Sequence, residues 1–477
     1  SNLKGFIGET LIYGFANVFS RVFAMFLIFF YLHYLGKTDY TNLVMIQSVF
    51  SVLAFVMVLT SGVFFYYYHW ERPKYKKMVF SSWFYYQLGC ALVIAATLYF
   101  GADLFKSFFV ITSSNEADVK TAISLTGLLF IPYIFNNTNL TYYRIDRKAK
   151  NAVSIVFIEA LFMSTIIILG LHYFNFGIVE VILGQLVARS IVAVLFMKTA
   201  KNYINLVFFS WKVLSRIFLF SWPFIITSLF LWISIYIDKF IAVGRLPNGD
   251  LALLALATQL SLPIVILADM IRMAIAPFIM SIMKEKNAKH SYQQVFDLSV
   301  FSALIVLVGI IIGTPILTMI LGDSALVPII KVIPFIGLAS IFSLIANQFM
   351  ISFSLAKKNI YTIIPVVISG TLVVVINLFF MEEYGFVISG ISQVTSGLVL
   401  AAILFILGKR ITELSINLSR SALLIMIMFA YIGLVYFDMD SILKGNFVLL
   451  IVGGVICTGI LSAVYMITYK KSKLLVD

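Results

Sequence analysis

Charge is what this sequence has least of. Asp, Glu, Lys and Arg make up only 12% of its 477 residues, against about a quarter in soluble domains, and 62% of the chain is hydrophobic. No water-soluble fold hides that much apolar surface, so lipid must be the solvent. Cysteine is nearly absent. Cys90 and Cys457 both sit in apolar runs, which argues against a disulfide framework or a thiolate metal site and reads as two small buried side chains. Histidine is equally scarce. His33, His69 and His172 fall at the ends of apolar runs and His290 in a polar connection, the places of interfacial anchors and solvated loop residues. No cluster has metal-ligand spacing, and no Gly-Lys-Ser/Thr loop is present to cradle a nucleotide phosphate. ATP hydrolysis is therefore not expected, nor an acyltransferase built on a buried histidine. The chain is expected not to be an enzyme and to need no cofactor or metal. Any transport would be passive, partner-driven or coupled to H+ or Na+.

What is present is apolar length. About fourteen runs reach the roughly 17 residues a helix needs to cross hydrocarbon. They lie near 10–35, 41–68, 79–101, 121–143, 152–174, 177–198, 214–243, 250–283, 295–321, 326–355, 361–381, 386–408, 420–437 and 447–469. Pro223, Pro263 and Pro277 interrupt two of them, where kinks are expected. The sequence opens Ser1-Asn2, and no cleavable leader is expected before the first run.

The connections fix an orientation. Lys and Arg collect on one side, as at Arg72–Lys77, Arg144–Lys150, Lys198–Arg216, Lys284–Lys289, Lys357-Lys358, Lys409–Arg420 and Lys470–Lys473. The other side has Lys37, Lys106, Lys120, Arg245 and Lys444. This bias accounts for the net charge of +13 without nucleic acid, and it predicts both termini in the cytoplasm. No large extramembrane domain is visible. The longest outer segment is 102–120, and Gly36–Tyr40, Gly322–Ala325 and Glu382–Gly385 read as turns. A membrane polymerase would be expected to carry more.

Against this background, Arg21, Arg189, Asp238, Lys239, Asp269 and Arg272 stand out inside apolar runs. Charge at bilayer depth is costly, so it faces a wet cavity or a partner. Arg21 shares a helix face with Asn17 at i, i+4; either it pairs with an acid, or it faces a cavity and attracts an anion such as phosphate. Asp269 and Arg272, at i, i+3, form either a structural pair or part of that cavity. Asp238 and Lys239 are adjacent and about 100° apart on a helix, so they are expected to point apart, one functional and the other snorkelling. Arg189 and Glu159 read as an interhelical pair, with proton or cation binding by Glu159 the alternative. Candidate ion-coupling groups are thus Asp269, Glu159 and Asp238. Amides such as Gln47, Asn136, Asn137, Gln185, Gln259 and Asn377 add a polar interior whose default role is interhelical hydrogen bonding.

A weak repeat appears. A Gly36 turn, Asp39-Tyr40 and a Gln47-bearing span recur six spans later as Gly244, Asp250-Leu251 and Gln259. Even spacing gives the halves like orientation. The expected fold is an all-α integral membrane protein with two parallel-repeat six-helix lobes, 1–200 and 201–410, enclosing a cavity, and an added helix pair in 411–477.

These stretches carry a resemblance. Glu9-Thr10-Leu11-Ile12-Tyr13-Gly14-Phe15-Ala16-Asn17 running to Arg21, Tyr34-Leu35-Gly36 with Asp39-Tyr40, and Ile237-Asp238-Lys239-Phe240-Ile241 with the later Ala276-Pro277 resemble the O-antigen (Wzx-type) polysaccharide flippases. These belong to the multidrug/oligosaccharidyl-lipid/polysaccharide (MOP) exporter superfamily. The resemblance implies a cationic cavity at Arg21, Asp238, Lys239 and Arg272 that takes an undecaprenyl-diphosphate-linked oligosaccharide. The prenyl tail would stay in the bilayer of a bacterial inner membrane. It also implies alternating access by a monomer working beside a polysaccharide polymerase and chain-length machinery. The chain departs from the pattern by being thin in charge in spans two, four and ten. A multidrug antiporter, a peptidoglycan lipid-precursor flippase and an integral polymerase or acyltransferase are the alternatives.

Overall fold

The computed structural model describes residues 19–20, 23–24, 26–58, 63, 73–146, 148–200, 205–268, 270–271, 288–321, 324–356, 358–411 and 416–473. The described residues are helices and their connections, without strands. This is what a bilayer demands, because a helix satisfies its own backbone polar groups where water is missing.

The long helices are α1 (26–34), α2 (Gly36–Val58), α3 (Pro73–Phe100), α4 (Glu116–Ile145), α5 (Ala149–Phe174), α6 (Ile178–Leu195) and α7 (Trp211–Ala242). They continue with α8 (Asn248–Leu260), α9 (Ala288–Leu321), α10 (Ile333–Leu355), α11 (Ile363–Tyr384), α12 (Val387–Ile411), α13 (Ser419–Phe437) and α14 (Val448–Lys473). Among the described residues, 12 helices are long and apolar enough to cross a membrane, and they coincide with the third to fourteenth apolar runs. The first two runs extend into residues outside the description; α1 lies within the first and α2 overlaps the second.

Two expectations are refined. The segment Gly36–Tyr40, read as a turn, is the first turn of α2, and the turn itself falls at Leu35. The two long prolyl runs behave differently. The backbone stays helical through Pro223, whereas before Pro263 the helix stops at Leu260 and turns at Ser261. Pro277 lies outside the described residues.

The chain divides into two compact units, Ser1–Trp232 and Ile233–Asp477, with the division inside α7. In the first unit, α3 packs on α4, and α4 on α6. Trp83, Phe84, Phe130 and Ile134 fill the core between α3 and α4, with Met57 of α2 and Ile217 of α7. The close approach of α3 and α4 depends on Gly127, where a Cβ would lie 2.6 Å from the Ala95 Cα. The connection 101–115 between α3 and α4 is pinned down. Asn42, wholly buried, exchanges two hydrogen bonds of 2.9 Å with the Val110 backbone. Beside it, Lys106 binds Glu116 at 2.6 Å and Lys120 binds Asp103 at 2.6 Å. The Lys120 hydrogen bond holds the Asp103 carboxyl below the usual carboxylate range.

In the second unit, α10 and α12 approach through Gly390 and Gly397, whose Cβ positions face Phe335 and Phe342 Cβ at 2.8 and 2.9 Å. Between α11 and α12 runs a polar seam, in which Ser369 meets Ser396 at 2.6 Å and Asn377 donates to Ser392 at 2.7 Å. The last pair, α13 and α14, pack on each other and on α9. Gly36 at the start of α2 and Gly244 in the turn before α8 have nearly the same φ, 75° and 76°. That left-handed backbone suits glycine at both copies of the sequence repeat.

Substituting Gly127→Val is expected to destabilise the first unit by about 1–3 kcal/mol, the scale of overpacking. Gly309→Ala on α9, where a Cβ meets nothing within 4 Å, is the matched control and should be neutral. Thermal unfolding of the purified chain in detergent measures both.

Candidate functional site

In the first unit two half-buried charges and an amide meet on three helices. Gly184 lets α6 lie close to α5, since a Cβ there would be 3.2 Å from Ile166 Cγ2. Glu180 caps the start of α6 by accepting from the Gly177 N–H at 2.9 Å. Thus held, α6 places Arg189 Nε 3.3 Å from Glu159 Oε1 on α5, so the interhelical pair read in the sequence is present. Asn136 of α4 completes the group, donating to Glu159 Oε2 at 3.0 Å and to the Arg189 carbonyl at 3.1 Å. The guanidinium also lies 4.5 Å from the Phe50 ring and 5.9 Å from that of Tyr133.

The pair is neutral in sum but not saturated. Arg189 Nε and Nη1, Asn136 Oδ1 and Asn137 Nδ2 are buried without a hydrogen-bond partner. Polar atoms inside proteins rarely stay so, because each unmade bond costs about 1–3 kcal/mol. The group therefore has donors and acceptors to offer a polar ligand, and the two side chains keep 14% and 23% exposure.

The second unit holds the adjacent charges read in the sequence. Asp238 and Lys239 on α7 are both fully buried. The expectation that they point apart, with Lys239 snorkelling, is corrected. The lysine stem curls back so that Nζ lies 3.2 Å from Asp238 Oδ1 and 3.1 Å from the Ile235 carbonyl. A flexible four-carbon chain closes the angle that the helix opens. The Lys239 backbone N–H also donates to Oδ1 at 2.9 Å, and Gln393 of α12 donates to Oδ2 at 2.9 Å. Asp238 thus carries its own counter-cation.

Asn17, Arg21, Asp269 and Arg272 lie outside the described residues. One ionic group went unread in the sequence. Asp297, buried on α9, binds Arg420 Nη1 at 3.3 Å, Ser421 Oγ at 3.3 Å and Gln293 Nε2 at 2.9 Å. It tethers α13 to α9. Its signal was available, since Asp297 falls inside the ninth apolar run, and Arg420 had been placed with the solvated loop cations. Among the described residues no group of three or more His, Cys, Asp or Glu side chains is placed to hold a metal ion.

Comparison with known proteins follows the same lines. A family model described as "Polysaccharide biosynthesis protein" matches residues 35–285, more than half of the chain. No curated protein sequence matches it significantly. Among solved structures, the inward closed conformation of the lipid II flippase MurJ matches with a TM-score of 0.73 at 15% identity, covering 98% of this chain and 100% of that one. The inward-facing multidrug resistance MATE transporter of the MOP superfamily matches at 0.68 and 14% identity, covering 82% and 94%. A MOP superfamily transporter from Pyrococcus furiosus, described as having a binding pocket of reverse polarity, matches at 0.60 and 14%, covering 85% and 95%. At such identities the likeness is one of fold.

Replacing Lys239 by Met is expected to destabilise the chain by about 3–5 kcal/mol, because it strands the Asp238 carboxylate in the interior. The double change Asp238→Asn with Lys239→Met should recover most of that loss. Unfolding midpoints of the unmodified chain and the two variants measure it, and equal midpoints for the single and double variants would refute the pairing.

Proposed function

The chain belongs to the polysaccharide biosynthesis protein family, and from that premise we propose that it is a transporter for lipid-linked sugar. It flips an undecaprenyl-diphosphate-linked oligosaccharide across the bacterial cytoplasmic membrane by alternating access, for assembly of a cell-surface polysaccharide such as O-antigen. The observation that carries this reading is the family match over residues 35–285 in a chain whose mass is membrane-spanning helix. The fold shared with a lipid II flippase over nearly the whole length supports it.

The cargo has an anionic diphosphate, a hydroxyl-rich head and an apolar tail. Moving the head through hydrocarbon needs cations for the diphosphate and hydrogen-bonding groups for the sugar. Arg21 and Arg272, with Asn17, Asp269, Asp238 and Lys239, are the proposed cavity residues. Arg189 joins them as a guanidinium with N–H donors to spare. A proton or sodium gradient acting through Asp269, Glu159 or Asp238 would drive the cycle, or removal of product by a downstream polymerase would. Asp238 could serve only by letting go of Lys239. Lobes 1–200 and 201–410, with the added pair in 411–477, are the proposed working parts. The chain works as a monomer with both termini on the cytoplasmic side, as the placement of Lys and Arg supports.

A second reading, a flippase for the lipid-linked peptidoglycan precursor, is favoured by the MurJ likeness and differs only in head group. Deleting the gene separates the two. Accumulation of undecaprenyl-linked surface-polysaccharide units inside the cell is expected. Accumulation of the peptidoglycan precursor would favour the second reading, and unchanged lipid-linked pools with altered drug sensitivity would overturn both. Complementation with Arg21→Ala plus Arg272→Ala should fail although the protein reaches the membrane; normal polymer would remove those residues from the cavity.

A further inference from the structure

A groove of about 500 Å³ opens on the first unit. Leu53 and Met57 of α2, Tyr86, Cys90 and Val93 of α3, and Trp211 at the start of α7 line it. The α3 positions, Tyr85 to Ile94, recur at three- and four-residue intervals, so the groove follows one helix face for about 14 Å. Its bed is apolar and aromatic.

One end has a different character. The Ser210 N–H donates to Ser82 Oγ at 2.8 Å and so fastens the segment before α7 to α3. Within and beside that segment Leu206, Val207 and Trp211 are 70%, 85% and 72% exposed, the profile of a stretch that sits in lipid. Lys77 lies with Nζ 5.7 Å from the Phe208 ring, and Lys74 and Lys77 in the first turns of α3 and Lys212 and Arg216 in the first turns of α7 are exposed. The groove therefore has an apolar bed and a cationic lip. The lip lies on the face where Lys and Arg accumulate.

The groove's length of about 14 Å and volume of about 500 Å³ give room for one acyl chain, and the exposed cations near it favour an anionic headgroup. We propose that this groove is a phospholipid site, holding one acyl chain of an anionic phospholipid from the cytoplasmic leaflet with its phosphate at the Lys77 and Lys212 lip. Ammonium groups beside the headgroup layer favour anionic lipid, and the apolar bed supplies the burial. The proposal does not depend on which sugar is moved.

The test uses the full chain in mild detergent, titrated with phosphatidylglycerol or phosphatidylcholine brominated on the acyl chain. The readout is Trp211 fluorescence, isolated as the difference between the unmodified chain and Trp211→Phe. Brominated phosphatidylglycerol is expected to quench at lower concentration than phosphatidylcholine. Lys77→Gln and Lys212→Gln should each weaken that preference by about five-fold. Gly89→Phe should abolish the saturable quenching. Gly89 lines the groove and a Cβ there meets nothing within 4 Å, so the added ring enters it without moving a helix. Should Gly89→Phe fail to fold, the two lysine variants still decide. Equal quenching by both lipids, quenching indifferent to the lysines, or undiminished quenching in folded Gly89→Phe would overturn the proposal. So would displacement of the phospholipid by stoichiometric polyprenyl phosphate.

Discussion

A charge in hydrocarbon must be compensated where it stands, and the interior of this protein is arranged around that constraint. Each buried ionic group in the described structure has an answer within its own unit. Arg189 is met by Glu159, Asp238 by Lys239, and Asp297 by Arg420. The helices that supply the partners are thereby fixed against one another, α5 to α6 and α9 to α13. The pairs differ in completeness. Asp238 is bonded on both oxygens and sealed, whereas Arg189, ion-paired through Nε at 3.3 Å, keeps Nη1 without a hydrogen-bond partner. The first arrangement suits a permanent strut. The second suits a group whose partners change.

Much of this was legible in the sequence, because membrane spans announce themselves by length alone. Apolar runs gave the helices, and a lone acid and a lone base on neighbouring spans gave Glu159–Arg189. The glycines at the start of α2 and in the turn before α8 were visible as a repeat and have nearly the same φ. What sequence could not give was side-chain reach. Helical geometry separates Asp238 from Lys239, but four methylenes bring the ammonium back. Asp297 was obscured by its place near a span end, where an acid looks solvated. The clamp between Asn42 and Val110 joins residues 68 positions apart and has no local signature.

The family and the fold point the same way for separable reasons. The family match ties the chain to polysaccharide biosynthesis, and the fold is one it shares with a lipid II flippase and a MATE transporter. Neither defines the head group. The chemistry of the buried groups adds what the proposed cargo requires: guanidinium for diphosphate, amide for sugar and a surrounding wall of hydrocarbon. The apolar groove with its lysine lip adds a second lipid relationship, with the leaflet itself.

The central claim is that this chain moves a sugar-bearing polyprenyl diphosphate from one leaflet to the other. The most direct measurement is reconstitution of the chain in liposomes with a fluorescently tagged polyprenyl-diphosphate oligosaccharide, following access of a membrane-impermeant quencher to the tag. Exchange between leaflets should be faster than in protein-free liposomes, and slower again when Glu159→Gln and Arg189→Gln are combined. Exchange no faster than in bare lipid, across imposed proton and sodium gradients, would contradict the account.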